Sequence, residues 1–506
     1  MKSSESSHRE TFASKFGFLS ALFAGVGGIG TLTIVSFQSI QWGSGLFWIV
    51  FIIGELVLAS SIYIIDAGWG SWTRKAYPQT WAKISKNNPF VKWFTWFNLA
   101  INVFFFVPSY VVVIGIYLNY LVGAPFKFWG ASPGGFFWDQ YGVTFFPAIA
   151  ALIVWAIFCF ISYRSVNSWA RFTIYARPVA LVMVSIWVLY VIAKIPNFWQ
   201  GWAITFDIGG KFTQLGTIGL LTVMSQAMLW VFWRNGLGTG LATAYASYLP
   251  RGGDVNDNVY LAVTSDALTM FLAALFLPVL LLGVGIPPIF GGSFGLAFSG
   301  LPKVWNALGT TGSFAGMFFY ALVIPTAMPL AIAYWETGVA AIMDKFGLPR
   351  GRALTLLTIF GIIASMIFAL PIYDGLNGNS FGLTLIFVNW YWEAVMSGVG
   401  VVIEFILLFA YFKADKLIEM VNESSVIKLP KSFKYVFLLG FLMTLATLGW
   451  IFIGTSGILP QVTAGAYGTI LGDGTAFYGL GPVGLAILAF TLGAPAVLAL
   501  FLMRGE

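Results

Sequence analysis

The residues best suited to chemistry in this sequence are charged side chains inside long apolar stretches. Arg234 interrupts one such stretch, and Asp266 lies within the next. A guanidinium at the centre of a bilayer costs at least ~2.5–3.5 kcal/mol on insertion scales, so Arg234 requires a partner. Asp266 is the natural candidate, and the alternative is that Arg234 turns towards another group. Fixed charges at this depth predict an ion or solute site.

Two glycine-dense segments lie in apolar stretches of the same kind. They read Gly25-Val-Gly-Gly-Ile-Gly30 and Arg234-Asn-Gly-Leu-Gly-Thr-Gly240. Backbone groups freed by a helix break in the membrane must find partners or line a wet cavity. Close helix packing is the alternative use of these glycines. The first segment also matches the dinucleotide-binding fingerprint, but it lies inside an apolar helix rather than after a strand, which excludes that reading.

The composition identifies the class of protein. Of 506 residues, 59% are hydrophobic and 9% are charged, with a mean hydropathy of +0.86. Soluble domains average roughly 45–50% apolar and about 25% charged residues, so this chain is predicted to be a polytopic membrane protein. Because Cys159 and His8 are the only residues of their types, we expect no disulfide framework, no metal centre and no cofactor. Without a nucleophile–base set, we also expect no enzyme.

Twelve apolar stretches reach the roughly 20 residues that a helix needs to cross a bilayer. We predict spans at about 17–38, 44–70, 92–122, 142–163, 173–194, 217–248, 258–286, 312–343, 352–372, 383–412, 434–455 and 481–503.

The basic residues indicate the orientation of these spans. With a cytoplasmic amino terminus, 20 of the 26 Lys and Arg residues fall in cytoplasmic segments and 4 in outside loops. This is the bias of the positive-inside rule, so both termini are predicted in the cytoplasm of a multi-pass plasma-membrane protein. The net charge of +7 is thereby explained without nucleic acid.

Spans one and six begin two sets of five spans with opposite direction. A pair of Gly-broken helices at corresponding positions of two halves is the best sequence pointer to a transporter binding site. We therefore predict an all-α fold of twelve transmembrane helices with a five-plus-five inverted repeat. Its parts are a tail at 1–16, repeats at 17–194 and 217–412, and a final segment at 413–506.

Four motifs, in order, resemble the neurotransmitter:sodium symporter family, which has the fold of the bacterial leucine transporter. The likeness covers spans one to ten and the start of span eleven, and no single motif is specific alone. They are Arg9-Glu-Thr-Phe-Ala-Ser-Lys-Phe-Gly17, Tyr245-Ala-Ser-Tyr248, Gly312-Ser-Phe continuing to Asp344, and Phe412-Lys-Ala-Asp-Lys416 followed by Asn422 and Pro430.

The resemblance implies a site for an amino acid or similar zwitterion between the two helix breaks. The amides of Ile29 and Gly30 would face its carboxylate, and the carbonyls of Val26, Trp233 and Arg234 its amine. The family's helix-three tyrosine aligns with Ser109 without a gap, or with Tyr110 after a shift of one. The implied side-chain pocket consists of Trp233, Gly236, Thr239, Leu330 and Tyr334.

The resemblance also implies a cytoplasmic gate but no outer ion pair. The inner gate would contain Arg9 and Asp344, with the alternative that they form only a solvated surface bridge. Its other matched positions are Phe12, where a tryptophan is usual, Ser247 and Tyr248. On the outer side, Ile34 and Asn389 stand where the family has an arginine and an aspartate. Closure there is expected to depend on the packing of residues such as Trp233 and Trp390.

The sodium positions depart most from the family. Of the first-site positions, Thr31 keeps a hydroxyl, Gly25 has no side chain, and Arg234 and Asp266 replace neutral residues. Two positive unit charges 4 Å apart repel by about 4 kcal/mol at an effective dielectric near 20, so sodium and Arg234 would exclude each other. We therefore predict that the Arg234–Asp266 pair replaces the first sodium.

The second sodium position also lacks ligands. Its two hydroxyl positions are Pro329 and Leu330, with Thr326 nearby as a replacement oxygen. Arg177 on span five could enter this site, as a cation does in sodium-independent relatives of the fold, or could snorkel to the cytoplasmic surface.

Proton coupling has three candidate acids that the family does not share, namely Glu55, Glu336 and Glu393. A carboxylate buried away from water favours its protonated form. Glu336 is the preferred candidate because it lies on span eight, between the second ion position and Asp344. A hydrogen-bonded structural acid is the alternative.

Three functions are compatible with these features. The preferred one is a sodium-independent secondary transporter of an amino acid or related small zwitterion, proton-coupled or facilitative. The second is a sodium symporter with non-standard ion sites, and the third is a membrane sensor that binds solute without cycling. The expected partners are the small-molecule solute and membrane lipid, and a homodimer is one option for assembly.

Overall fold

The structure is a computed structural model of the chain. It describes residues 10–13, 15–25, 28, 30–42, 44–137, 139, 141, 144–163, 165–207, 210–285, 295–369, 373–374, 379–455 and 489–504.

The described residues are overwhelmingly helical. The α-helices, in chain order α1 to α22, are Lys15–Gly25, Ser36–Trp42, Ser44–Gly54, Ser60–Thr73, Tyr77–Ile84, Pro89–Leu99, Val107–Gly123, Pro133–Phe137, Phe146–Ser162, Val166–Lys194, Phe198–Thr205, Gly210–Asn235, Leu241–Ala246, Asn256–Gly283, Leu301–Ala307, Gly309–Ala321, Val323–Phe346, Arg350–Phe368, Phe381–Ile406, Ala414–Ser424, Lys434–Thr455 and Ala494–Leu502.

Shorter elements extend or join these helices. A two-residue antiparallel ladder, Tyr373–Asp374 with Asn379–Ser380, precedes α19 (strands β1 and β2). Short 3₁₀ turns cover Ala124–Phe126 and Lys431–Phe433. π-helical turns, which are frequent at functional sites, cover Thr31–Val35, Glu55–Ala59, Ala100–Phe106, Leu296–Gly300, Leu407–Phe412 and Ala489–Gly493.

Each predicted span coincides with helical structure, although the count of twelve stays a prediction. Within the described residues, eight helical segments are long and apolar enough to cross a membrane, and three shorter apolar helices accompany them. The eight are Gly45–Thr73, Pro89–Phe126, Val166–Lys194, Gly216–Asn235, Gly309–Phe346, Arg350–Phe368, Asn389–Phe412 and Lys431–Ile453. Residues 481–488 of the last predicted span lie outside the described residues.

The sixth span breaks where its glycines occur. Helix α12 ends at Asn235, and α13 begins at Leu241. Between them, Gly236, Gly238 and Gly240 have φ angles of +56°, +69° and +72°, a region that side chains with a Cβ rarely adopt. In the first span, α1 ends at Gly25 and the next described helical turn begins at Gly30.

The two breaks lie in the middle of the helix packing. Helix α1 packs against α10 and α17, while α13 packs against α4. Helix α12 packs against α3, α19 and α21. The helix ends beside the breaks therefore belong to helices that pack against several parts of the chain, where a shared site can form.

Candidate functional site

A small pocket lies between the two helix breaks. The space left among its side chains holds about one water molecule. In this conformation the pocket is therefore too small for an amino acid. Its lining consists of Gly28, Gly30, Phe106, Tyr110, Trp233, Arg234, Leu330 and Tyr334. Six of these residues were expected from the sequence; Gly28 and Phe106 were not.

Aromatic rings cover the pocket from α19. The Trp390 ring centroid lies 5.7 Å from that of Trp233, 5.6 Å from Tyr110 and 5.9 Å from Phe106. The Trp390 indole N–H donates to Ser109 Oγ over 2.8 Å. The two alternatives for the helix-three position thus occupy different places, since Ser109 holds the covering ring and Tyr110 lines the pocket.

The outer-gate positions are apolar or neutral and buried. Ile34 and Asn389 are both almost fully enclosed. The side above the pocket is closed by the ring cluster around Trp390 rather than by an ion pair. Phe106 lies in this cluster because the π-helical turn Ala100–Phe106 ends there, a register that periodicity in the sequence does not reveal.

The break in the sixth span lies beside the pocket, and its Gly236 and Thr239, which the resemblance placed in the pocket, are not part of the lining. A Cβ built on Gly236 would collide with the Tyr334 hydroxyl, so the missing side chain is what allows α17 to approach. Thr239 is buried and donates its hydroxyl to the Gly236 carbonyl over 2.6 Å. Gly236 and Thr239 therefore shape the loop that brings Trp233 and Tyr334 together.

Arg234 forms a buried ion pair with Asp266. Arg234 Nη2 donates to Asp266 Oδ1 over 2.6 Å, and its other terminal nitrogen pairs with Oδ2. Arg234 is 3% exposed and Asp266 is fully buried. Because Arg234 also lines the pocket, a fixed cation lies where solute would bind, with its counter-charge on α14.

Arg177 approaches the same aspartate from α10. Its Nη2 donates to Asp266 Oδ1 over 3.0 Å and to Thr269 Oγ1 over 2.9 Å. Arg177 is 5% exposed and therefore does not snorkel to the surface. It lines a second small cavity at the seam of α1, α10 and α17, which is lined by Phe23, Ala24, Thr173, Ala176, Arg177, Pro325, Thr326 and Pro329.

Glu55 completes the charge network, which we define as Glu55, Arg234, Asp266 and Arg177. Glu55 Oε1 lies 3.3 Å from Arg234 Nη1 and accepts from Asn235 Nδ2 over 2.7 Å. The carboxylate begins a π-helical turn between α3 and α4. Two guanidinium groups alternate with two carboxylates, so the fixed charges of the network cancel.

The hydroxyl nearest the second ion position is engaged within its own helix. Thr326 donates to the Leu322 carbonyl over 2.6 Å. Pro329 lines the same cavity without a side-chain oxygen. The cation of this seam in the described residues is the Arg177 guanidinium, which points on towards Asp266.

Towards the predicted cytoplasmic side, Glu336 is held by a residue that the sequence analysis missed. Arg350 donates to Glu336 Oε1 over 2.5 Å and to Oε2 over 2.8 Å. Arg350 Nη2 also donates to the Ser162 carbonyl over 3.2 Å, and Tyr248 donates its hydroxyl to Glu336 over 3.0 Å. Glu336 is thus a hydrogen-bonded acid in this conformation, which was the alternative to a proton carrier.

The other inner-gate positions gather near this contact. Phe12 packs edge-on against Tyr248, with ring centroids 6.0 Å apart, and its N–H donates to the Tyr248 carbonyl over 3.0 Å. Asp344 accepts from the Ala76 N–H over 2.7 Å. Ser247 donates to the Ala244 carbonyl. The predicted partner of Asp344, Arg9, lies outside the described residues.

Three of the expected site residues are wholly or partly outside the described part of the chain. Val26 and Ile29 lie outside the described residues, as does the side chain of Thr31. Their backbone and ion-site roles stay predictions.

Known proteins resemble this chain over most of its length. No family model matches it. An uncharacterized sodium-dependent transporter of Methanocaldococcus jannaschii is 26% identical over 473 residues, covering 90% of this chain and 92% of the relative. A second, from Bacillus subtilis, is 24% identical over 346 residues, covering 65% of this chain and 72% of the relative. The crystal structure of MhsT in complex with L-phenylalanine matches this chain with a TM-score of 0.73 and 20% sequence identity. The match covers 88% of this chain and 99% of MhsT.

These comparisons confirm the fold and the family resemblance. The chain is a multi-pass, all-helical membrane protein with the leucine-transporter-type fold. The names of the relatives confirm the likeness to sodium-dependent transporters and the prediction that the chain is not an enzyme. They do not identify the ion or the solute of this chain.

Proposed function

We propose that this protein is a secondary transporter that moves an amino acid or related small zwitterion by alternating access, without sodium. The observation that carries the proposal is the charge network beside the pocket. Its central pair, Arg234 and Asp266, stands at positions that bind sodium in the family that the sequence resembles. A guanidinium there supplies the positive charge and repels a second cation.

The pocket supports a small solute with an apolar side chain. Its walls are aromatic and aliphatic, and Gly28 and Gly30 contribute to its lining without side chains. Sites of this type combine apolar walls with a few placed polar groups. L-phenylalanine, which is bound in the MhsT crystal structure, is therefore the first solute to test.

Arg177 extends the same proposal to the second ion position. Its guanidinium lines the seam cavity and shares Asp266 with Arg234. With both positions served by arginines, the carrier needs no sodium to balance Glu55 and Asp266. The relatives' name of sodium-dependent transporter favours the competing function, a sodium symporter with altered ion sites.

The charge bias of the loops supports a plasma-membrane location with both termini in the cytoplasm. Glu336, Arg350 and Tyr248 would then close the cytoplasmic side, together with Phe12, Ser247, Asp344 and Arg9. The Trp390 ring cluster would close the outer side.

Sodium dependence is the decisive test. We expect proteoliposomes containing the purified protein to accumulate labelled L-phenylalanine, or another neutral amino acid from a panel, equally well with sodium or potassium outside. The physical reason is that the arginines already supply the cationic charge. Empty liposomes are the control, and uptake that rises steeply with sodium would show that the symporter alternative is correct.

The pocket assignment predicts a selective effect at Gly236. Gly236→Ala places a Cβ against the Tyr334 hydroxyl, so we expect loss of amino-acid binding measured by scintillation proximity. Gly347→Ala is the matched control. Gly347 has a similar positive φ of +62°, with a ψ of +26°, but nothing within 4 Å of its Cβ position. Both variants bear a backbone cost of roughly 1–2 kcal/mol. Equal binding by the two variants would place the solute elsewhere.

A further inference from the structure

Glu393 is a fully buried acid on α19 that the charge network does not include. Neither of its carboxyl oxygens has a hydrogen-bond partner. The other two acids that depart from the family are held by guanidinium groups, Glu55 by Arg234 and Glu336 by Arg350. Glu393 therefore differs from them in having no counter-charge.

Two walls of the pocket adjoin this carboxyl group. The Trp233 indole N–H faces it without reaching hydrogen-bond geometry. The Tyr334 phenol lies close enough to interact with its charge, and Tyr334 also interacts with Tyr110. These phenols and the indole are neutral, and no cation interacts with Glu393 among the described residues. Glu393 thus lies behind Trp233 and Tyr334, next to the pocket but not in its lining.

The surroundings favour the neutral acid over the carboxylate. Removing an ionised carboxylate from water without a partner costs far more than removing a neutral group. A cationic group of a solute would have to lie in the pocket, and Glu393 does not line it. A proton, which needs no cavity of its own, fits this position.

The rings that close the pocket include Trp233, which also faces Glu393. Trp233 packs against both Trp390 and Phe106, with ring centroids 5.7 and 6.0 Å apart. Admitting a solute larger than water requires these rings to move. A movement of Trp233 therefore changes what covers the acid as well as what closes the pocket.

We propose that Glu393 is the proton-binding residue of the carrier, so that a proton travels with the solute. The inference rests on the proposed transport function and names its coupling ion. While the pocket is open on one side, a carboxylate oxygen forms an O–H bond with a proton from water. The rings close over solute with the acid neutral. When the pocket opens on the other side, that O–H bond breaks and the proton returns to water.

The transport test uses proteoliposomes that contain a trapped pH-sensitive dye. Both sides hold equal potassium and valinomycin, which clamps the voltage, and L-phenylalanine is added outside. We expect the lumen to acidify with wild-type protein. In Glu393→Gln the proton flux should fall to that of empty liposomes while exchange of labelled L-phenylalanine continues, and Glu393→Asp, which keeps a carboxyl group, should restore acidification.

Glu404→Gln is the matched control. Glu404 lies on the same helix, is fully buried and also has both oxygens without hydrogen bonds. It is about 16 Å further along α19, away from the pocket, and should leave acidification intact. Acidification that persists in Glu393→Gln would overturn the proposal.

An infrared measurement tests the site independently of transport. The spectrum of wild-type protein minus that of Glu393→Gln, at neutral pH and without solute, should contain the carbonyl stretch of a protonated carboxylic acid. Carboxylate bands in its place would overturn the proposal even if the protein transports amino acids. If the acid band is present but no amino acid is transported, the proton site stands and the proposed solute is wrong.

Discussion

Asp266→Ala should lower the stability of the protein more than any other single substitution in the charge network. Asp266 accepts from two guanidinium groups, so its removal leaves Arg177 and Arg234 together in the membrane without their shared counter-charge. Breaking a buried pair by removing one partner costs about 3–5 kcal/mol. We expect a large fall in the thermal unfolding temperature in detergent. The fall should be smaller for Arg234→Ala, because Asp266 stays paired with Arg177 and the unpaired Glu55 can neutralise by taking up a proton, which a guanidinium cannot do by losing one.

The double variant Arg234→Thr with Asp266→Asn distinguishes charge balance from packing. It removes one charge of each sign and leaves Glu55 and Arg177, so the network stays neutral overall. We expect it to be more stable than either alanine variant. Arg251→Ala is the control, because Arg251 is exposed and surface changes are usually within about 0.5 kcal/mol. A double variant no better than the sum of the single effects would contradict the paired arrangement.

Arg350→Ala should open the cytoplasmic side of the protein. It leaves the Glu336 carboxylate buried with only the Tyr248 hydroxyl bound to it, at a cost of about 3–5 kcal/mol. Because that contact joins the turn after α13 to α17 and α18, its loss favours conformations in which water hydrates Glu336. We expect faster modification of a cysteine placed at Ala340, one turn beyond Glu336, by a soluble maleimide.

Two features of the sequence make this measurement clean. Cys159 is the only native cysteine, so Cys159→Ser provides a background without other thiols. Arg352 lies two residues after Arg350 and is exposed, so Arg352→Ala is the matched control. Equal labelling rates in both arginine variants would show that the Glu336–Arg350 pair does not close this side.

Much of the fold was predictable because the signals are local. Hydropathy located the helices within several residues, and the glycine cluster located the break after Asn235. A span of apolar residues or a run of glycines needs no information about its neighbours. The register of the helices against each other is different, since it depends on π-helical turns such as Ala100–Phe106. The position of Phe106 in the pocket lining was therefore not predicted from the sequence.

The pairing of charges was predictable only in part. Arg234 required a buried acid, and Asp266 on the next span was the nearest choice. For Arg177 the sequence left two alternatives because a long side chain can extend either way along its helix. The Glu336–Arg350 contact joins the second half of α17 to the start of α18. An arginine at a predicted membrane edge gave no sign that it would fold back into the protein.

The charge network has a consequence for how the protein is made. Glu55 and Arg177 belong to the first part of the chain, and their partners Arg234 and Asp266 are synthesised later. During insertion each early charge faces hydrocarbon alone, at roughly 2.5–3.5 kcal/mol on translocon scales. We therefore expect the helix with Arg177 to remain beside the insertion machinery until the helix with Asp266 emerges. Insertion of the two halves would then be cooperative, and a truncated first half would leave these charges without their partners.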